Sequence, residues 1–245
     1  MDPRLYPQMA KVEDTHWWFA ARRAICSALL DRLALPVPAD ILEPGCGTGG
    51  NLAMLQRRGA VFALDCDESA LQYAAARGGA ILAQGSLPDQ IPFANKLFDL
   101  AVMTDVIEHL DCPLEALRAV RNRLKPGGWI LLTVPALPWL WSDHDVTHHH
   151  RRRYYAGELR RLLLNAGFRI TLLSYYNCLL FFPIAAVRLL TRILRGADHG
   201  DGRHDLNVLP APINRALARV FAAERHLIGR VPLPFGVSLI ALGQA

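Results

Sequence analysis

The chain has 245 residues, 52% of them hydrophobic and 20% charged, with a formal net charge of +5 at neutral pH. That length accommodates one α/β domain with a sizeable core, and the composition excludes intrinsic disorder as the main reading. Five cysteines, odd in number and without a C-x-x-C pair, indicate neither a disulfide framework nor a zinc knuckle and point to a reducing, cytoplasmic setting.

Residues 1–12 carry charge and proline but no apolar run, so no secretory signal is expected. His16-Trp17-Trp18-Phe19 opens an apolar-periodic helix that Pro36 and Pro38 end, giving an N-terminal helical segment over residues 1–38. Ile41-Leu42-Glu43 reads as a short strand, followed by a glycine-rich turn over 44–50 and a helix over 51–58. Residues 61–65 form a second strand, 69–77 a helix and 80–83 a third strand. A fourth strand over 98–103 precedes a helix over 114–124, stopped by the turn Lys125-Pro126-Gly127-Gly128. A fifth strand over 129–134, a helix over 158–165 and a sixth strand over 168–173 follow. Alternation of strand and helix predicts a mostly parallel sheet with helices on both faces.

Residues 175–230 depart from this pattern and read as an insertion before a final strand over 236–242. Two apolar or amphipathic helices, over 179–194 and 212–228, flank a polar linker over 196–205. The stretch 170–187 carries no charge and approaches the length of a membrane span, yet its first part reads as strand and Asn177 and Pro183 interrupt the rest. No span is predicted. Leu179, Leu180, Phe181, Phe182, Ile184, Val187, Leu189 and Leu190 surround most of the first inserted helix, and Arg188, Arg192 and Arg195 cluster after them. The insertion is expected to cap an acceptor site, to dimerise, or to touch an anionic membrane surface.

The turn Glu43-Pro44-Gly45-Cys46-Gly47-Thr48-Gly49-Gly50 lies between strand and helix, where glycines permit close backbone approach to a nucleotide-like ligand. It also satisfies G-x-G-x-x-G, with Asp65 at the distance expected of a ribose-binding acid, so an NAD-dependent oxidoreductase stays open on spacing alone. Glu43 argues against it. A carboxylate beside the first glycine opposes a pyrophosphate and suits a ligand that carries an ammonium group, held directly or through water.

Residues 41–52 resemble motif I of the class I S-adenosylmethionine-dependent methyltransferases, and Gln84-Gly85-Ser86-Leu87-Pro88 and residues 98–110 resemble the motifs that follow. The resemblance covers most of the chain. It implies one Rossmann-like domain over 1–245 with a seven-stranded, mostly parallel sheet, and S-adenosylmethionine as cofactor. Glu43, Gly45, Gly47, Asp65 and its neighbour Cys66 would then surround the cofactor, with Ser86 and Leu87 bordering the adenine and Thr104 facing the methionine portion. Aspartate is usual in the family where Ser86 stands. His16-Trp17-Trp18-Phe19, Leu140-Trp141-Ser142 and His150-Arg151-Arg152-Arg153-Tyr154 resemble signatures of a bacterial subgroup, which implies that Arg22 reaches the cofactor carboxylate.

The histidine-rich segment 143–155 follows the fifth strand, whose end borders the ligand crevice in open α/β sheets. His150 and His109 are the candidate bases for removing an acceptor proton, with Asp145 nearby, while Arg152, Arg153 and Tyr154 are candidates for binding a substrate anion. Asp105, Glu108 and His109 fall at i, i+3 and i+4 at the start of an expected helix, so their side chains can converge on one face. Similar E-x-x-E-H arrangements hold a metal in small-RNA 2′-O-methyltransferases and ubiquinone-biosynthesis O-methyltransferases. Here aspartate replaces the first glutamate, and no metal dependence is expected. The leading expectation is methyl transfer to an oxygen of a small-molecule or lipid-like acceptor, with N-methylation as the alternative. A basic nucleic-acid-binding module is the rival outside enzymology; only the Arg151-Arg152-Arg153 run favours it, and a nucleic-acid partner is not expected.

Overall fold

The computed structural model describes residues 5–94, 96–195 and 208–245, with side chains described outside 191–195. The polar linker 196–205 and the side chains of Arg192 and Arg195 lie outside the described residues. Seven strands form one sheet: β1 (Ala39–Pro44), β2 (Gly59–Asp65), β3 (Ala80–Gln84), β4 (Phe98–Thr104), β5 (Leu124–Pro135), β6 (Arg169–Tyr176) and β7 (Ser238–Gln244). Their order is β3-β2-β1-β4-β5-β7-β6, and only β7 runs antiparallel to its neighbours β5 and β6. This is the Rossmann-like arrangement expected. Ile41 and Leu100 enter the core on one face while Leu42 and Ala101 enter it on the other, as a sheet covered on both sides requires.

The helices among the described residues are α1 (Tyr6–Val12), α2 (Trp17–Leu30), α3 (Leu52–Gln56), α4 (Glu68–Arg77), α5 (Pro113–Arg121), α6 (Asp143–Thr147), α7 (Ala156–Asn165), α8 (Phe181–Arg195) and α9 (Ala211–Ala223). One face of the sheet carries α2, α3 and α9, through Ile25, Leu29, Leu55 and Phe221, and the other carries α5 and α7, through Leu117, Val120, Leu159 and Leu163. His16 caps α2 by accepting from the Trp18 amide at 3.3 Å, and Asp67 caps α4 by accepting from Ser69 N at 2.8 Å.

Two local expectations need correction. The turn expected over 125–128 lies within β5, because Leu124 already pairs with Phe98 and a register shift between Phe98 and Leu100 takes up the extra residues. Asp105 does not begin a helix: it stands at φ +57°, and Ile107–His109 is a single 3₁₀ turn before α5 begins at Pro113. The seven-residue α1 lies within the N-terminal segment 1–38 expected to be helical, apart from the helix that the apolar periodicity picked out. The uncharged stretch 170–187 divides into β6 and the start of α8, and no helix of the described residues is long and apolar enough to cross a membrane.

Candidate functional site

The carboxyl ends of β1, β2 and β4 present Glu43, Asp65 and Thr104, and a cavity of about 820 Å³ opens beside them. Gly45 carries a left-handed φ of +71°, and a Cβ there would stand 2.8 Å from Val106 Cγ2. Only glycine lets the turn lie this close to the end of β4. Asp65 Oδ2 accepts from Gly47 N at 2.8 Å and its Oδ1 accepts from Asp67 N at 3.0 Å, which fixes the carboxylate at the cavity edge. Cys66, Ser86 and Leu87 line the same end, where Ser86 and Gln90 exchange backbone hydrogen bonds of 2.9 and 2.8 Å.

Glu43 is 2% exposed and stands behind the wall rather than in it. Asn51 lies between: its Nδ2 donates to Glu43 Oε1 and to Thr104 Oγ1, both at 2.9 Å, and Asn51 and Thr104 line the cavity. Glu43 Oε2 has no hydrogen-bond partner. Burial pushes the Glu43 carboxyl up to about 7, against the opposing pull of the Asn51 hydrogen bond. A buried acid with one bare oxygen thus backs the cavity wall behind Asn51.

The N-terminal segment also lines this part of the cavity, with Glu13 and Tyr6, which the sequence reading missed. Thr48 Oγ1 donates to Glu13 Oε1 at 2.6 Å, Arg77 bonds Glu13 and Asp14, and a Cβ on Gly50 would run into the Glu13 carboxylate. Tyr6, buried, lines the cavity beside them. Arg22 also lines it, but its guanidinium pairs with Asp105, whose other oxygen accepts from Thr133 Oγ1 at 3.0 Å. Asp105 is therefore committed to Arg22 and Thr133, and its carboxylate is not among the ligand atoms that converge with those of Glu108 and His109.

The opposite end is built of histidines. His109 and His150 meet edge to face with ring centroids 4.8 Å apart, and His144 lies 5.6 Å from His150. His150 Nδ1 bonds Asp145 Oδ1 at 2.8 Å, and Arg153 Nε donates to the same oxygen at 2.8 Å. Burial raises Asp145, but the His150 hydrogen bond and Arg153 outweigh it and hold the carboxyl below the usual carboxylate range. Burial lowers His150 despite Asp145, and burial with His150 beside it pushes His109 down to about 3, so both imidazoles are neutral near pH 7. Arg152, Arg153 and Tyr154 are not free to hold a substrate anion. Arg152 donates to the Leu110 carbonyl at 2.9 Å, Arg153 also donates to the Ala136 carbonyl at 3.0 Å, and buried Tyr154 donates to the Ile107 carbonyl at 3.4 Å. With Arg151 bonded to Asp111 and to the His109 carbonyl, the run that favoured nucleic acid is folded onto the chain's own backbone.

Residues of the insertion also line the cavity. Leu180, Ile184 and Val187 from α8 and its approach, and Leu217 from α9, line it with Trp17 and Trp18. Asn214 ties α9 to the start of α2, accepting from Trp17 N at 2.9 Å and donating to the Thr15 carbonyl at 2.8 Å. Trp18 and Phe221 pack with centroids 5.3 Å apart.

A family model described as a methyltransferase domain matches residues 18–173. A probable S-adenosylmethionine-dependent methyltransferase of Mycolicibacterium smegmatis is 28% identical over 84% of this chain and 74% of its own length. A malonyl-[acyl-carrier protein] O-methyltransferase of Dechloromonas aromatica is 30% identical over 75% of this chain and 72% of its own. Among solved structures, a putative methyltransferase of Haloferax volcanii, in complex with the Trm112 methyltransferase activator, superposes with a TM-score of 0.63 at 19% identity. That likeness covers 99% of this chain and 94% of the other and speaks to the fold.

Proposed function

This chain belongs to the S-adenosylmethionine-dependent methyltransferase family, and on that premise we propose that it methylates an oxygen of an acceptor with a substantial apolar part. The cofactor supplies a methyl group already activated by its sulfonium; transfer breaks the sulfur–methyl bond, forms an oxygen–methyl bond, and leaves S-adenosylhomocysteine and the proton shed by the acceptor. What remains for the chain is to align the oxygen, exclude water and make that proton easy to lose.

Asp65 would hold the ribose hydroxyls, Ser86 and Leu87 would border the adenine, with Cys66 and Gly47 beside them, and Asn51, backed by Glu43 and Thr104, would take the methionine end. Arg22, kept rigid by Asp105, faces that end with its positive charge. The acceptor's oxygen meets His150 and His109, whose neutral rings offer lone pairs where a solvated side chain would offer water. The observation that carries the oxygen reading is the Asp145-oriented His150 at the cavity wall: Asp145 accepts the Nδ1 proton, which leaves Nε2 as a hydrogen-bond acceptor. The lining from Leu180, Ile184, Leu217, Trp17 and Trp18 supports an apolar acceptor, as does the likeness to a relative named for an acyl-carrier substrate.

Incubation with methyl-labelled cofactor and cell extract, followed by mass spectrometry of the labelled product, tests this. Label in an ether or ester of an apolar molecule is expected. Label confined to amine nitrogen would refute O-methylation, and label confined to water-soluble polar molecules would refute the apolar acceptor.

A further inference from the structure

Glu108 is 0% exposed, lines the cavity, and neither of its carboxylate oxygens has a hydrogen-bond partner. An ionised carboxylate in that position costs several kcal/mol unless something positive or protonic meets it. Arg22, the cation that acts on it, is already paired with Asp105. His109 Nδ1 is also buried without a partner, and His150 gives its Nδ1 to Asp145 and keeps Nε2 as an acceptor. One ligand atom from each of Glu108, His109 and His150 lies within 4.8 Å of the other two. Three groups that can each offer a lone pair thus converge on one point of the cavity wall, an arrangement that is repulsive when left to itself and favourable around a cation.

We propose that Glu108, His109 and His150 bind one divalent transition-metal ion at the acceptor end of the cavity. Two imidazoles and one carboxylate form a mixed nitrogen–oxygen set suited to Zn²⁺, Co²⁺, Fe²⁺ or Mn²⁺, and three protein ligands leave coordination positions open toward the cavity. Asp145 completes the arrangement from behind, because a carboxylate accepting the far ring proton fixes the His150 tautomer and orientation that a metal requires. Arg153, bonded to the same Asp145 oxygen, keeps that carboxylate ionised. Asp105 takes no part, being held by Arg22 and Thr133, so the donor set differs from the one that the chain spacing of Asp105, Glu108 and His109 suggested. The catalytic use of the ion rests on the methyl-transfer reading: an acceptor oxygen in an open coordination position would lose its proton more readily, and His150 and His109 would act through the ion rather than as free bases. Binding of the ion does not rest on that reading.

The test is titration of untagged, chelator-treated full-length protein with Co²⁺, followed by visible absorption and elemental analysis, with S-adenosylhomocysteine calorimetry on every sample. The expected result is one equivalent of Co²⁺ per chain, bound at least tenfold more weakly in Glu108→Gln and in His150→Gln. Asp145→Asn should weaken it by about tenfold to a hundredfold. All variants should keep S-adenosylhomocysteine affinity within about twofold, which shows that they fold; should one lose it, His109→Gln takes its place. Wild-type protein that binds S-adenosylhomocysteine but takes up no stoichiometric Co²⁺ would overturn the proposal. So would wild-type Co²⁺ affinity in both folded variants. Stoichiometric Co²⁺ without S-adenosylhomocysteine binding would support the ion site and count against the cofactor assignment alone.

Discussion

The two ends of the cavity are built by different means. At the cofactor end, Glu43, Gly45, Gly47 and Asn51 fall within nine residues of one another and Asp65 follows at the end of the next strand, so that a strand, a turn and a helix place them almost by backbone alone. At the acceptor end, Glu108 and His109 come from the turn after β4, His150 from the segment after α6, the tryptophans from α2 and the apolar cover from α8 and α9. Chain-local construction gives a site that stays the same when surrounding segments vary. Assembly from distant segments gives one whose chemistry is set by those segments, which is how one fold serves many acceptors.

Substitutions that should affect one end and spare the other sharpen this contrast. The largest effect is expected at Glu43 in the cofactor-free chain. Its folded-state carboxyl titrates at about 7 against 4.5 when unfolded, so the folded chain keeps a proton that the unfolded chain has lost between those values. Stability from this group is therefore full below the lower value and falls as pH rises through about 7, by about 3 kcal/mol. Glu43→Gln should match wild type in urea denaturation near pH 4.5 and exceed it by about that amount at pH 8. Equal stability at both pH values would show that Glu43 is not buried as a carboxyl.

Next in size is His150→Gln, which should lower kcat by about a hundredfold and leave S-adenosylhomocysteine affinity within about twofold, since loss of a group that handles the acceptor's proton typically costs this much. Parallel losses in both quantities would erase the division between the ends. Asp65→Ala should do the reverse, weakening S-adenosylhomocysteine by about thirtyfold in calorimetry through loss of about 2 kcal/mol of charge-assisted hydrogen bonding. Unchanged affinity would remove Asp65 from the ribose contact. The smallest effect is expected for Leu217→Ala, with a rise in acceptor KM of about fivefold as one apolar contact is lost and an unaltered KM for the cofactor.

How far each end was legible follows from the same contrast. Strand alternation, the glycine turn and the hydrophobic faces are local patterns, and they placed the seven strands and the insertion within a few residues. Glu43, Gly45, Gly47, Asp65 and Thr104 were named from one turn and three strand ends. Asn51 was missed because its role depends on lying between Glu43 and Thr104 in space, although its position just before α3, directly after the glycines, was a usable signal. Tyr6 and Glu13 sit in and beside a helix too short to show periodicity. At the acceptor end spacing misled: Asp105, Glu108 and His109 share a face only in a regular helix, and the left-handed Asp105 turns its carboxylate to Arg22 instead. No sequence pattern announces that pairing across 83 positions, and the arginines after His150 read as a basic surface because nothing local shows that buried Asp145 and backbone carbonyls take them up.

The central claim is that a methyl group carried at the glycine-turn end faces the histidine end across one cavity. A crystal structure with S-adenosylhomocysteine tests it directly. The account predicts ribose hydroxyls on Asp65 and the sulfur directed into the space bounded by His109, His150 and Leu217. A nucleoside bound away from Asp65, or a sulfur turned away from both histidines, would contradict it.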